Sequence, residues 1–421
     1  MARSTVKRAF KYRFHPTDAQ AAELSRTFGC VRLVYNRALA ERTSAWFTEQ
    51  RRVNYNQASA ALTEWKKDPD LGFLNEVSSV PLQQGLRHLQ TAFRNFFDKR
   101  AQYPRFKAKK KAKASAEYTR SGFKYRDGRL TLAKMADPLG IVWSRPLPEG
   151  SVPSTVTVSK DSAGRWHVSI LCEDSVAHHA PSDQAVGVDA GIGSLVTLST
   201  GEKIANPRYE RRDRARLAKA QRELARKTKG SANRDKARVK AARVHARITD
   251  RRKDFLHKLT SRLVRENQVV VIEDLTVRNM VKNSKLARAI SDAAWTELRT
   301  MLEYKAGWYG RELVVIDRFF PSSKLCSTCG ALQEKLALNV RTWTCACGLT
   351  HDRDVNAAIN IRAAGLAASV GPPLCDHGEA RTVGAGAGVR PQRESSRTGR
   401  SVSKQEGRGA TRDGAKASNH R

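Results

Sequence analysis

The chain has 421 residues and carries 77 Lys and Arg against 41 Asp and Glu, a net charge of +36. That length allows two or three hydrophobic cores, and a basic surplus spread along all of it implies a polyanionic partner, of which nucleic acid is the commonest. Membrane association is excluded as the reason for the charge, because no run of about 18 apolar residues occurs and the basic segments lack a strongly apolar face. The first residues, MARSTVKRAFKYRF, lack the apolar stretch of a secretion signal, so a cytoplasmic setting with reduced cysteines is expected.

Residues 5–14 alternate, with Phe10, Tyr12 and Phe14 on one side and Lys11 and Arg13 on the other, which predicts a half-exposed strand. His15-Pro16 ends it, and Thr17 with Gln20 forms a capping box for a helix. Helical spacing through Leu24, Phe28, Val31 and Tyr35, and again through Leu82, Leu86, Leu89, Phe93 and Phe97, predicts a small helical bundle over 17–100. Residues 100–113 follow as a basic linker in which Tyr103 and Phe106 are interleaved with lysines. Rings there can stack on bases while ammonium groups neutralise phosphates, although a plain solvated linker has the same composition. Short β segments with glycine turns fill 117–175 and predict a barrel to which strand 5–14 is expected to belong.

After a boundary at 180–183, residues 185–190 (AVGVDA) form an apolar strand holding one carboxylate, Asp189. A buried Asp costs several kcal/mol unless compensated; a metal ion would do it, and so would a strand-end hydrogen bond to a turn. Residues 208–265 are a basic helical hairpin broken at 229–231, suited to lie on a nucleic-acid groove. The buried strand QVVVIEDL (268–275) ends in Glu273-Asp274, a helix is expected around 295–309, and ELVVIDRF (312–319) is another buried strand.

Four of the seven cysteines fall within 326–347 as two pairs, Cys326/Cys329 and Cys345/Cys347, each followed by a turn glycine, Gly330 or Gly348. Two such turns flanking a short polar hairpin predict one four-thiolate zinc ion in a ribbon; the Cys-x-Cys spacing of the second pair is its unusual feature. Cys30, Cys172 and Cys375 read as isolated thiols. Directly behind the ribbon, Asp352-Arg353-Asp354-Val355-Asn356 stands where a helix should start. An Asp in one strand, a Glu ending a later strand and an Asp opening a late helix follow the order of acids in RNase H-like nucleases. Such carboxylates hold two Mg2+ ions about 4 Å apart, one activating water and one stabilising the leaving oxygen. Four protein thiolates leave no open position for water, so the zinc site is structural or grips nucleic acid.

GVDAGI, VVIEDL, PSSKLCSTCG with CACG, and DRDVNAAINI together resemble the TnpB family of insertion-sequence-encoded proteins, relatives of the type V CRISPR effectors. YPRFK (103–107), LARKTKGSANRDKAR (224–238) and RRKDFLHKL (251–259) extend the resemblance over roughly residues 5–366. It implies an α/β fold: an RNase H-like (RuvC) nuclease domain over 184–325 and 350–366 with the zinc ribbon at 326–349 inserted. It also implies a wedge-like N-terminal β-barrel over 1–16 and 101–180, interrupted by a helical recognition lobe at 17–100. The implied activity is Mg2+-dependent, RNA-guided cleavage of double-stranded DNA next to a short transposon-adjacent motif. The guide comes from the element's own end, in a prokaryotic, nucleoid-associated setting. Carried over to this chain, the catalytic triad falls on Asp189, Glu273 and Asp354; Asp352 takes the role of a cap or support. Arg353 is placed near the scissile phosphate, with an ordinary exposed Arg as the alternative, and Gln83 on the helix near the adjacent motif, with an ordinary surface Gln as the alternative. The tail 367–421 is rich in Gly, Ser, Arg and Ala and is expected to be disordered. Two other readings stay open on sequence alone: a non-cleaving nucleic-acid-binding regulator, and an unguided nuclease or transposase. Oligomeric state is open as well.

Overall fold

The computed structural model describes residues 2–369, apart from 111 and 338. Cys375 and nearly all of the predicted disordered tail lie outside the described residues; residues 367–369 are helical.

Strand β1 (Arg3–Phe14) buries Phe10, Tyr12 and Phe14 and exposes Lys11 and Arg13, as the alternation requires. Thr17 and Gln20 make the reciprocal capping box that opens α1 (Asp18–Glu49). Helices α2 (Tyr55–Lys67) and α3 (Ser79–Phe97) pack on α1 around Val34, Leu39, Leu62, Leu74, Leu82 and Leu86. The basic segment after α3 has no regular structure but is strapped to α1: Lys107 N donates to Asn36 Oδ1 (2.8 Å), and Asn36 Nδ2 donates to Lys107 O (3.0 Å).

Strands β2 (Ala114–Thr119), β3 (Phe123–Arg126), β4 (Arg129–Leu132), β5 (Ile141–Val142), β6 (Pro153–Lys160) and β7 (Trp166–Ala177) follow. An antiparallel sheet of order β2-β6-β7-β1-β5 takes in β1, so the N-terminal strand does belong to it. The expected closed barrel is not formed: no pairing joins β5 to β2 among the described residues. The edge strand β5 is two residues long, too short to zip a wall, and the β3–β4 hairpin lies over the apolar face instead. Leu130 and Leu132 of that hairpin, with Leu24 and Phe28 of α1, fill the space a closing wall would have enclosed.

The second sheet is mixed, of order β10-β9-β8-β11-β12, built from β8 (Ala185–Ala190), β9 (Ser194–Leu198), β10 (Lys203–Ala205), β11 (Val269–Glu273) and β12 (Glu312–Ile316). Between its strands run the hairpin α4 (Tyr209–Ala225) and α5 (Ala232–Glu266), then α6 (Val277–Met280), α7 (Ala287–Ala293) and α8 (Trp295–Tyr309). Strands β8, β11 and β12 are parallel to one another, with Val188 opposite Ile272. On one face Val186, Val188, Val270 and Ile272 pack against Leu256, Leu259 and Leu263 of α5 and Leu298, Met301 and Leu302 of α8. Period-two alternation puts Gly187, Asp189, Val271 and Glu273 on the other face. That face is covered by the last helix, α9 (Arg353–Ser369), where Ile361 packs on Val271 and Ile316.

Helix α9 sits unusually close to the sheet. A Cβ on Gly187 would lie 2.6 Å from Arg362 N and closer still to Ala358 O; one on Gly365 would lie 2.6 Å from Val271 Cγ2. Neither glycine can accept a side chain without pushing the helix away. Gly365→Ala is therefore expected to cost about 1–3 kcal/mol through overpacking and to lower the calorimetric midpoint by several degrees. Gly307→Ala, on the exposed side of α8 with nothing within 4 Å, should leave the midpoint unchanged or raise it. Equal midpoints for the two variants would contradict the close approach.

Candidate active site and metal centre

Asp189 is the fifth residue of β8 and pairs with Thr197 of β9. Glu273 closes β11, one step beyond the Ile272–Val188 pairing. The parallel register thus sets the two acids side by side, on the face that α9 covers. Asp354 stands in the first turn of α9. All three converge: burial, then the charges of Glu273 and Asp354, push the Asp189 carboxyl up to about 7. Burial also raises the Glu273 carboxyl. Glu273 Oε1 accepts a 2.7 Å hydrogen bond from Ser322 Oγ, and Arg341 Nη1 approaches Asp354 Oδ1 at 3.5 Å.

Neighbouring acids have other fates. Asp274 points away and is ion-paired with Arg299 (2.6 Å) and with Arg318. Asp352 acts as the cap of α9: its Oδ1 accepts from the backbone N–H groups of Asp354 (3.1 Å) and Val355 (3.0 Å), and its Oδ2 binds Lys203 Nζ at 2.6 Å. Arg353 does not stand free. Its Nη1 donates to the carbonyl of Ala337 (2.9 Å), and its backbone N–H donates to Arg341 O (2.8 Å), which ties the ribbon to the start of α9.

The ribbon contains β13 (Thr342–Thr344) and β14 (Thr350–Asp352), paired antiparallel. Gly330 and Gly348 have φ of 75° and 87°, the left-handed turns that the two cysteine pairs require. The sulfurs of Cys326, Cys329, Cys345 and Cys347 all lie within 4.8 Å of one another. Cys326–Cys347 and Cys329–Cys345 are 3.9 and 3.5 Å apart, against an edge of about 3.8 Å for a tetrahedron with Zn–S bonds of about 2.3 Å. The thiol set therefore fits a zinc ion, and the short second spacing does not disturb it. Backbone N–H groups of Cys329 and Thr328 draw the Cys326 thiol down, whereas the sulfurs of Cys326, Cys345 and Cys347, against the backbone N–H of Ala331, push the Cys329 thiol up, as expected for thiols crowded around one point without a cation. His351 Nε2 lies 3.1 Å from Cys326 Sγ, with its ring against Trp343.

Of the other residues expected to touch nucleic acid, Gln83 lies on α3, and Tyr103 and Phe106 lie in the irregular segment that follows it. Gln83 is exposed on α3. Tyr103 is held edge-on between Phe93 and Phe96, with its hydroxyl 3.0 Å from Thr43 Oγ1. Phe106 is 61% exposed. A cleft of about 500 Å3 lies between the β6–β7 turn and α5, lined by Arg13, Arg165, Arg243, Arg247 and Arg251, with Asp250 as its acid. No sequence pattern marked that cleft, because its arginines come from three separate elements. Ser322, Asn356 and Asn360, which surround Glu273 and the first cysteine turn, were not foreseen either. Their only local signal is a pair of Asn four residues apart on the apolar face of a helix.

Family models match three stretches: a "Probable transposase" model over residues 167–284, a "Cas12f1-like, TNB domain" model over 295–361 and a "Helix-turn-helix domain" model over 1–51. The last of these covers β1 and the single long helix α1. A Streptomyces pristinaespiralis protein named "Putative RNA-guided DNA endonuclease" is 73% identical over 96% of this chain and 98% of its own length. The Escherichia coli K12 protein InsQ, named in the same terms, is 35% identical over 85% of this chain and 92% of its own. Among solved structures, a Cas12f1–sgRNA–target DNA complex aligns with a TM-score of 0.54 at 12% identity, covering 85% of this chain and 99% of that one. No helix among the described residues is long and apolar enough to cross a membrane. Identity at this level, over nearly the full length of both relatives, means that the chain belongs to the TnpB family.

Proposed function

We propose that the chain is an RNA-guided DNA endonuclease in which Asp189, Glu273 and Asp354 are the catalytic metal ligands. In this reading it hydrolyses DNA phosphodiesters with two Mg2+ ions next to a short transposon-adjacent motif, with a guide RNA from the end of its own element. The observation that carries the proposal is the convergence of three acids, from β8, β11 and α9, on one face of a mixed sheet. The names of the relatives and the fold likeness to Cas12f1 support it.

The donor set fits hard cations. It consists of carboxylate oxygens, and the upward push on Asp189 marks a cluster short of positive charge. Bound Mg2+ would supply that charge, lower the pKa of an attacking water and stabilise the leaving oxygen. The remaining tasks belong to this chain's own groups. Strand register sets Asp189 beside Glu273, and the start of α9 brings the charge of Asp354 to bear on Asp189 before any ligand arrives. Ser322 keeps one Glu273 oxygen occupied and fixes the carboxylate's rotation. Arg341, beside Asp354, would offer a cation to a substrate phosphate. The arginine cleft and the α4–α5 hairpin give the strong, salt-sensitive backbone binding that both nucleic acids need. We assign residues 184–325 and 350–366 to a RuvC-like nuclease unit and 326–349 to a ribbon folded by structural zinc. Residues 17–100 become a recognition lobe, and 1–16 with 101–180 a wedge-like open sheet.

Purified with the RNA transcribed from its downstream flank, the protein should retain a discrete noncoding RNA. Asp189→Ala should keep that RNA and the DNA binding but lose cleavage by about 1,000-fold or more, consistent with loss of a group required for charge stabilisation. Cutting by Asp189→Ala at the wild-type rate would sink the triad, and wild-type cleavage that ignores removal of the RNA would sink the guide.

Burial of an uncompensated acid also has a stability signature. Raised from an unfolded value of 3.8 to about 7, Asp189 is neutral in both states well below its unfolded pKa, under about pH 3, and costs nothing there. The penalty grows as pH rises through the interval and is complete above 7, because the native state binds the extra proton. Asp189→Asn should therefore raise the melting temperature without Mg2+ by several degrees at pH 8 and by much less at pH 4. Calorimetry in Mg2+-free buffer without a chelator, which leaves zinc in place, checks the sign at both pH values.

A further inference from the structure

A buried polar scaffold links the first cysteine turn to Glu273. Ser322, Asn356 and Asn360 are 6, 2 and 4% exposed. Ser322 belongs to the irregular segment between β12 and the ribbon, which runs under α9 and would leave its carbonyls without partners if α9 carried apolar side chains there. Asn360 Nδ2 donates to Ser322 O (2.8 Å) and Leu325 O (2.7 Å). Asn356 Nδ2 donates to Leu325 O (2.7 Å), while its Oδ1 accepts from the backbone N–H of Ser327, inside the Cys326–Cys329 turn (2.9 Å). With its backbone held in this way, Ser322 donates its hydroxyl to Glu273 Oε1 at 2.7 Å. Glu273 Oε2 has no protein donor among the described residues. Asp354 starts the same helix that carries both asparagines.

We propose that Ser322 is a positioning residue for Glu273, and that Asn356 and Asn360 tie its placement to the cysteine turn. The inference rests on the reading of Glu273 as a metal ligand. The chemistry is that of a support behind a ligand: the hydroxyl fixes the rotation of the carboxylate and leaves the second oxygen for the cation, so its loss weakens the metal site rather than the fold. One helix therefore delivers Asp354, grips the segment that orients Glu273, and clasps the ribbon's first turn.

The test uses the full chain bound to its RNA and compares Ser322→Ala, Ser322→Thr, Asn360→Ala and Glu273→Gln with the unaltered protein. Two quantities are read: the Mg2+ concentration that half-saturates DNA cleavage, and Mn2+ binding followed by electron paramagnetic resonance, with the Glu273→Gln complex as the reference for sites on the RNA. Ser322→Ala should raise the half-saturating Mg2+ and weaken the Glu273-dependent Mn2+ binding roughly 10-fold or more, with the cleavage rate recovering at high Mg2+. Ser322→Thr, which keeps the hydroxyl, should restore both values, and Asn360→Ala should shift both in the same direction as Ser322→Ala. A Ser322→Ala protein with unaltered metal dependence and unaltered Mn2+ binding overturns the proposal. If Ser322→Ala does not fold, the Asn360→Ala result decides in the same terms. Should Glu273→Gln itself cut like the unaltered protein, the catalytic reading fails; should Glu273→Gln be inactive while Ser322→Ala behaves normally, only the positioning role fails.

Discussion

The close contact between α9 and the sheet is the constraint on which the candidate site depends. Gly187 in β8 and Gly365 in α9 remove the two side chains that would hold the elements apart, so helix backbone lies directly on strand backbone. Ala357, Ala358 and Ile361, all buried, complete the contact. This fixes where the helix begins, and with it the height of Asp354 above the ends of β8 and β11. The N-terminal turn of a helix favours a carboxylate electrostatically, and Asp352 uses that preference as a cap while also binding Lys203. Asp354 is thus freed from capping, and its charge bears on Asp189. A longer distance between helix and sheet would keep every acid in the sequence and separate them in space.

Much of this could be read from local patterns, because the interactions concerned are local. The capping box at Thr17 and Gln20, the apolar strand around Asp189, the two cysteine turns with their glycines, and the cap at Asp352 each involve residues within four positions of one another. The α4–α5 hairpin and the strands at 269–273 and 312–316 follow equally from periodicity. What alternation cannot reveal is closure. Strand 5–14 and the β character of 117–175 were legible, although β2 begins earlier, at Ala114; whether the last strand meets the first depends on the length of β5 and on what fills the interior, and here a hairpin fills it. Arg353 is an instructive case: its neighbours in sequence are acids, but its guanidinium serves carbonyls of the ribbon. Ser322 and Asn360 were opaque for a similar reason. Their partners are a side chain 49 residues away and carbonyls 35 and 38 residues away, and single serines and asparagines carry no distinguishing pattern.

Charge supplies the remaining argument. A chain with a surplus of +36 has cations to spare, and many of the acids among the described residues have taken one. Asp161 and Asp250 share Arg165, Asp213 lies between Arg247 and Arg251, Asp292 binds Arg252, and Asp274 binds Arg299 and Arg318. Glu273, next to Asp274 in sequence, meets only a neutral hydroxyl, and the alternation of the strand end separates the fates of the two. Asp189 has no side-chain ion pair among the described residues, and Asp354 has one at 3.5 Å. In a protein so rich in arginine, three acids gathered without full compensation are an expensive arrangement, and the cost is visible in the carboxyl of Asp189. A cluster left open to positive charge is what a site for exchangeable cations requires, and this is the physical argument behind the proposal that these three residues are working groups.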